Sequence, residues 1–206
     1  GAYIRHAREE LGYAKVVILG WSGGGSLSTY YQAQAETPTV THTPAGDPAP
    51  LADLGVIPGD ALMIVAAHTG RARILSEWID PSVGDETDPG ARIRDLDIYD
   101  DAGPKPPYSA EFIAEFRAAQ KARVARISHW VRDRLDAIRA QDSAEWEFPF
   151  VVHRTMADPR FYDLSLDPNE RPLGRCYMGD PRAVNSGPVG LARFTTLRAW
   201  LSQWSE

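Results

Sequence analysis

The most constraining stretch of this chain is K-V-V-I-L-G-W-S-G-G-G-S-L, residues 15–27. A short apolar run rich in β-branched residues, flanked by Gly12 and Gly20, reads as a buried parallel strand over Lys15–Leu19. The residues after it, 22–36, read as a helix that stops before Pro38. Only a tight, glycine-bearing turn fits between the two, and that turn contains Gly20-Trp21-Ser22-Gly23-Gly24, the pattern G-x-S-x-G. Between a strand and a helix this pattern is a nucleophile elbow: a sharp turn lifts a serine hydroxyl clear of the sheet edge. Ser22 is then the candidate nucleophile. The Gly23 N–H, at the positive end of the following helix, is a candidate donor to an oxyanion. Gly20, Trp21 and Gly24 are the structural residues of the elbow, with the turn expected to bring Gly20 and Gly24 too close for a β-carbon.

Three other uses of such a turn were weighed. A Walker A loop needs a Lys after its glycines, and none follows here. A dinucleotide fingerprint starting at Gly23 and Gly25 finds Ser28 where its third glycine belongs, and residues 37–46 lack the acidic partner. The glycines could also serve only close helix-to-strand packing. A nucleotide- or phosphate-binding turn is therefore the alternative to the elbow.

A second apolar strand is expected over Ala61–Ala67 and a short helix over Ile74–Ile79, closed by Pro81. A strand–helix–strand unit over 15–67 should cross over right-handed, leaving the strands parallel and their ends, Gly20 and His68, on one sheet edge. His68 is thus the histidine expected nearest Ser22, as base or pocket wall. Ahead of this unit, Tyr3, Ile4, Ala7 and Leu11 repeat at helical spacing over residues 2–12, with Gly12 as a left-handed end. Since that pattern starts directly after Gly1, the chain reads as lacking its natural N-terminus.

Eight acids between Asp80 and Asp101 oppose two arginines, the pattern of a solvated acidic linker. A long helix follows over 109–141, capped by Ser109, with Phe112, Phe116, Val124, Ile127, Val131, Leu135 and Ile138 in one stripe and basic residues on the solvated faces. Phe148–His153 suggests a short strand. Five prolines make 154–190 irregular, as in a lid or binding loop. A last helix is expected over about 190–204, with Leu191, Phe194, Leu197, Leu201 and Trp204 on one side. His153 with Asp158 is a second, weaker histidine–acid pair. His6, His42 and His129 lack an evident acid partner. Asp163–Glu170 departs from a calcium loop at Pro168 and Gly174. Most of Trp130, Trp146, Trp200 and Trp204 should fill core.

With 206 residues and a net charge of −6, the chain has neither the basic face of a nucleic-acid binder nor an apolar run approaching a membrane span. One cysteine, Cys176, excludes an internal disulfide, and no metal or organic cofactor is called for by any motif. A cytoplasmic location is the default, and a homo-oligomer stays open.

V-V-I-L-G-W-S-G-G-G-S-L, then A-L-M-I-V-A-A-H-T-G-R, then a helical and loop-rich insert, resembles the middle of an α/β-hydrolase superfamily protein of the serine esterase or acylhydrolase type. The resemblance is specific for 12–79. It implies an α/β fold in which residues 1–96 are part of the core, with Lys15–Leu19 and Ala61–Ala67 as its fifth and sixth strands, and 97–206 are a mainly helical cap. It also implies a small ester, thioester or amide substrate and an acyl-enzyme on Ser22. The triad acid and histidine, which follow later strands in that family, would lie outside this span, so the chain is expected to be catalytically complete only as part of a longer one.

Overall fold

A computed structural model describes residues 1–141, 148–168, 170–187 and 194–205. The chain contains both helices and strands, in a loose α/β arrangement, and divides into two compact units, Gly1–Ile74 and Leu75–Glu206. The boundary that the resemblance implies, at 96/97, falls inside the second unit.

In the first unit, helix α1 (Ala2–Glu9) precedes strand β1 (Val17–Trp21), helix α2 (Gly23–Glu36) and strand β2 (Ala61–Val65). The two strands pair in parallel, Val17 opposite Ala61 through Trp21 opposite Val65. Each strand is displaced or shortened by two residues relative to expectation. Helix α1 ends three residues early, although Gly12 does take the left-handed conformation, with φ +70°. Of the apolar face assigned to it, only Ile4 is buried, while Tyr3 and Leu11 are exposed.

Side chains of α2 fix its position against the sheet. Gln32 donates to the Gly59 carbonyl at 3.0 Å and accepts from the Gly59 N–H at 2.9 Å, and the Tyr31 hydroxyl donates to the Ile57 carbonyl at 2.7 Å. At the far end of β1, the Asp60 carboxylate accepts from the Val16 N–H at 2.7 Å and pairs with Arg8 at 2.9 Å. The strands are not buried as the apolar runs imply. Val17, Leu19 and Trp21 of β1 and Met63, Ile64 and Val65 of β2 are all exposed. Only two strands are present, so α2 covers one face and the rest of the sheet stays open.

The second unit begins within α3 (Arg71–Trp78), which runs across the division between the units. It also holds α4 (Ala110–Ala140), β3 (Pro149–Val151), α5 (Pro181–Ser186), β4 (Phe194–Thr196) and α6 (Leu197–Gln203). The long helix is as expected: Ser109 Oγ accepts from the Phe112 N–H at 3.2 Å, and the stripe from Phe116 to Ile138 is buried. Strands β3 and β4 pair antiparallel, Phe150 opposite Thr195. Trp200 of α6 is fully buried and donates to Ser128 Oγ of α4 at 2.9 Å. Phe194, expected on the inner side of the last helix, is instead an exposed strand residue. Leu191 and Trp146 lie outside the described residues. Trp130 is exposed.

Two expectations for this unit are overturned. The stretch from Asp80 is no simple solvated linker: Asp80, Ser82 and Asp97 are buried. Asp80 accepts from Ser82 N–H (2.9 Å) and Oγ (2.6 Å), from Arg154 Nε (2.8 Å) and from Asn185 Nδ2 (2.6 Å). Arg154 reaches it from a left-handed backbone, φ 57°. Arg92 Nε stands 2.7 Å from Asp97 Oδ2, an ion-pair contact without hydrogen-bond alignment. Nor are the basic residues of α4 all solvated. Arg123, 1% exposed, donates to the carbonyls of Asp80, His153 and Arg154 and forms a two-pronged bond to Glu86 at 2.7 and 2.8 Å. Beside it, Gln120 donates to the carbonyls of Glu77, Ile79 and Ala157. A charge-count along the chain cannot see that these acids and bases meet in space.

The same contacts draw in part of the expected lid. Thr155, Met156, Ala157 and Asp158 are buried, and Met156 N–H donates to Asn185 Oδ1 at 3.0 Å. Pro159 and Pro181 are buried with them, whereas Pro168 and Pro172 are exposed and Pro188 lies outside the described residues, so the expected lid joins the core at its two ends and stays at the surface between.

Candidate functional site

Ser22 lies between β1 and α2 with φ 51° and ψ −121°, a conformation that L-residues rarely adopt. Its N–H is tied to the Val65 carbonyl at 3.2 Å and its carbonyl accepts from the Gly25 N–H at 3.1 Å. A serine preceding a helix ordinarily turns its hydroxyl back onto the first amides. Ser22 makes no such bond: the unusual backbone aims the side chain elsewhere, and the residue is exposed. Gly23, at the first helical position, has no carbonyl four residues back to bond within the helix, so its N–H is one of the unpaired amides at the positive end of α2.

The glycines of the turn have separate reasons. A Cβ on Gly20 would stand 2.6 Å from the Gly24 carbonyl oxygen and 2.7 Å from the Gly25 Cα, so the turn admits no side chain there. The expectation that Gly24 is equally confined is corrected: a Cβ there meets nothing within 4 Å. The confined partner is Gly25, whose Cβ would come within 2.2 Å of the Ala67 Cβ. Gly25 therefore lets the segment after β2 lie against the start of α2. Trp21, the last residue of β1, is 70% exposed.

That close approach brings His68 to the elbow. A Cβ on Gly23 would lie 3.1 Å from His68 Nε2. The chain reaches this position through Ala66, whose φ is 45°, and leaves it through Gly70, whose φ of +130° turns its N–H back to His68 Nδ1 at 3.1 Å. Ser22, Gly23 and His68 are thus gathered at one sheet edge. The sequence pattern assigns no such packing role to Gly25, Ala67 or Gly70. Their signal was present as a small residue facing a glycine and as the run His-Thr-Gly after a strand.

The other histidines are placed differently. The Asp158 carboxylate is engaged by Arg117 Nη2 at 2.8 Å, Arg160 Nε at 2.8 Å and Trp78 Nε1 at 3.1 Å, so it is committed to arginines rather than to orienting His153. His6 does have an acid partner, Glu10, at 2.9 Å one helical turn away. His42 Nδ1 sits 3.0 Å from Thr41 Oγ1, and His129 is exposed. Cys176 is a half-buried free thiol whose backbone exchanges hydrogen bonds with Gly179. The Asp163 carboxylate accepts from Ser165 and from the Tyr108 N–H, as a turn-forming aspartate does. Among the described residues no three His, Cys, Asp or Glu side chains converge as metal ligands would, and no helix is long and apolar enough to cross a membrane. No protein-family model, no curated protein and no solved structure matches this chain.

Proposed function

We propose that this chain carries the nucleophile of a serine hydrolase of α/β-hydrolase type, acting on an ester, thioester or amide. The observation that supports the reading best is the Ser22 backbone, φ 51° and ψ −121°, at a parallel strand-to-helix turn. Strain of this kind persists only where the surroundings over-determine it, here through the excluded β-carbon at Gly20 and the bond from Ser22 to Val65. A phosphate-binding turn would need no residue in such a conformation, only free amides.

In this reading Ser22 Oγ attacks the substrate carbonyl carbon while its proton passes to a base. The oxygen of the tetrahedral intermediate accepts from the Gly23 N–H. Collapse expels the alcohol, thiol or amine and leaves an acyl-enzyme, which water then hydrolyses. The folded protein, treated with a fluorophosphonate, becomes modified at Ser22; a folded protein left unmodified there overturns the reading.

One observation favours a second use of the first unit, as a surface for further polypeptide. The exposed apolar side chains of β1 and β2 form a patch of the kind that monomeric proteins cover. Residues 1–206 alone then self-associate in size-exclusion chromatography, and a clean monomer with a cooperative melt rules this out.

A further inference from the structure

A general base must offer a lone pair to the proton it removes, and the geometry of His68 denies it one on the side of Ser22. A backbone N–H can only donate, so the 3.1 Å bond from Gly70 to Nδ1 makes Nδ1 the acceptor of the ring. The proton of the neutral imidazole is then on Nε2. Nε2 is the nitrogen that faces the elbow, 3.1 Å from the place of a Gly23 β-carbon.

Standard bond lengths put an amide nitrogen about 2.5 Å from the β-carbon of its own residue, so Nε2 and the Gly23 nitrogen are at most about 5.6 Å apart. One oxygen accepts from two donors along its lone-pair directions when they stand about 4.5–5 Å apart, which lies within that limit. We propose that the His68 Nε2–H is a side-chain donor to the carbonyl oxygen of the substrate, acting with the Gly23 N–H. This assignment rests on Ser22 being the nucleophile. It makes His68 an electrostatic partner of the developing oxyanion rather than the proton acceptor, and the base is a different group.

Several local features serve this placement together. Gly23 leaves room for the ring, Gly25 admits Ala67 against α2, and the left-handed Gly70 supplies the bond that fixes the tautomer. Each would be hard to explain if His68 were a solvent-facing loop residue.

The test has two arms. In the wild-type protein labelled with ¹⁵N-histidine, two-bond ¹⁵N–¹H correlations report the tautomer directly; protonated Nε2 with bare Nδ1 is expected, and protonated Nδ1 overturns the proposal. In the second arm, the rate of fluorophosphonate modification of Ser22 is compared between wild type, H68Q and H68F. Gln offers an N–H donor but cannot act as a base at neutral pH, so H68Q should stay within about tenfold of wild type while H68F slows by about 100–1,000-fold, the usual effect of removing one oxyanion donor. H68Q as slow as H68F, or H68F as fast as wild type, overturns the donor role while leaving Ser22 as nucleophile. Absence of modification in the wild type removes the nucleophile reading and this one with it, whatever the tautomer. Should H68F fail to fold, the tautomer and the H68Q rate decide.

Discussion

The carbonyl oxygen of Gly24 stands 2.6 Å from where a β-carbon on Gly20 would be, so the turn that presents Ser22 requires glycine at position 20. Backbone, not a movable side chain, occupies the space, so the turn cannot yield cheaply. Gly20→Ala should destabilise the protein by about 1–3 kcal/mol, the range for overpacking a site that cannot relax. Gly24→Ala is the control: its β-carbon meets nothing within 4 Å in a helical segment, where replacing glycine typically gains about 0.4–1 kcal/mol. Urea denaturation of both variants measures the contrast. Equal effects would contradict the account of the turn.

Arg123 joins four carbonyl or carboxylate partners while almost fully buried. Arg123→Met takes the guanidinium away from the Glu86 carboxylate and from the carbonyls of Asp80, His153 and Arg154, the last of which keeps the Asp80 N–H. Losing the charged partner of a buried pair of this kind costs about 3–5 kcal/mol. A large fall in the denaturation midpoint of the second unit is expected. A change below about 1 kcal/mol would mean that water replaces the guanidinium.

Ser109 accepts from the Phe112 N–H at the start of α4. Its replacement by Ala should cost about 1 kcal/mol and by Gly only a few tenths, because the backbone of a capping position suits glycine better than alanine. Thermal melts of the two variants, ranked Gly above Ala, check this.

Asp60 is held below the usual carboxylate range chiefly by the Val16 N–H, which outweighs the opposing effect of burial, with smaller help from the Arg8 and Lys15 charges. The unfolded chain therefore binds this proton more tightly than the folded one. Its stabilisation is complete above the ordinary aspartate value near 3.9 and is lost as pH falls through the lowered folded value. Asp85, Asp100 and Asp163 are lowered in the same direction, by bonds from Thr87, Ala102 and Ser165 respectively. Stability should thus drop on acidification below about pH 4, and Asp60→Asn should flatten that part of the curve. An unchanged acid limb in D60N would show that Asp60 does not contribute.

How much of this was readable in the residues depended on range in sequence. The strand–turn–helix around Ser22 and the cap and stripe of α4 are set by neighbours within a few positions, and both were legible. Burial of β1 and β2 was not, because an apolar strand is buried only when something covers it, and here the side chains of Leu19 and Met63 remain exposed. The acids after residue 80 were misread for the opposite reason: Asp80 is buried by Arg154 and Asn185, 74 and 105 residues away. At the candidate site, the placement of Ser22 and Gly23 at the turn follows from the motif, and that of His68 beside them from its strand-end position. The role of Gly25 required knowing that Ala67 lies against it.

The central claim, that Ser22 is a nucleophile, is tested most directly by mass spectrometry of the folded protein after reaction with a fluorophosphonate. The account predicts one phosphonyl adduct, on the peptide containing Ser22, absent from S22A and from heat-unfolded protein. A folded protein with no adduct on Ser22, or one whose adduct persists in S22A, would contradict it.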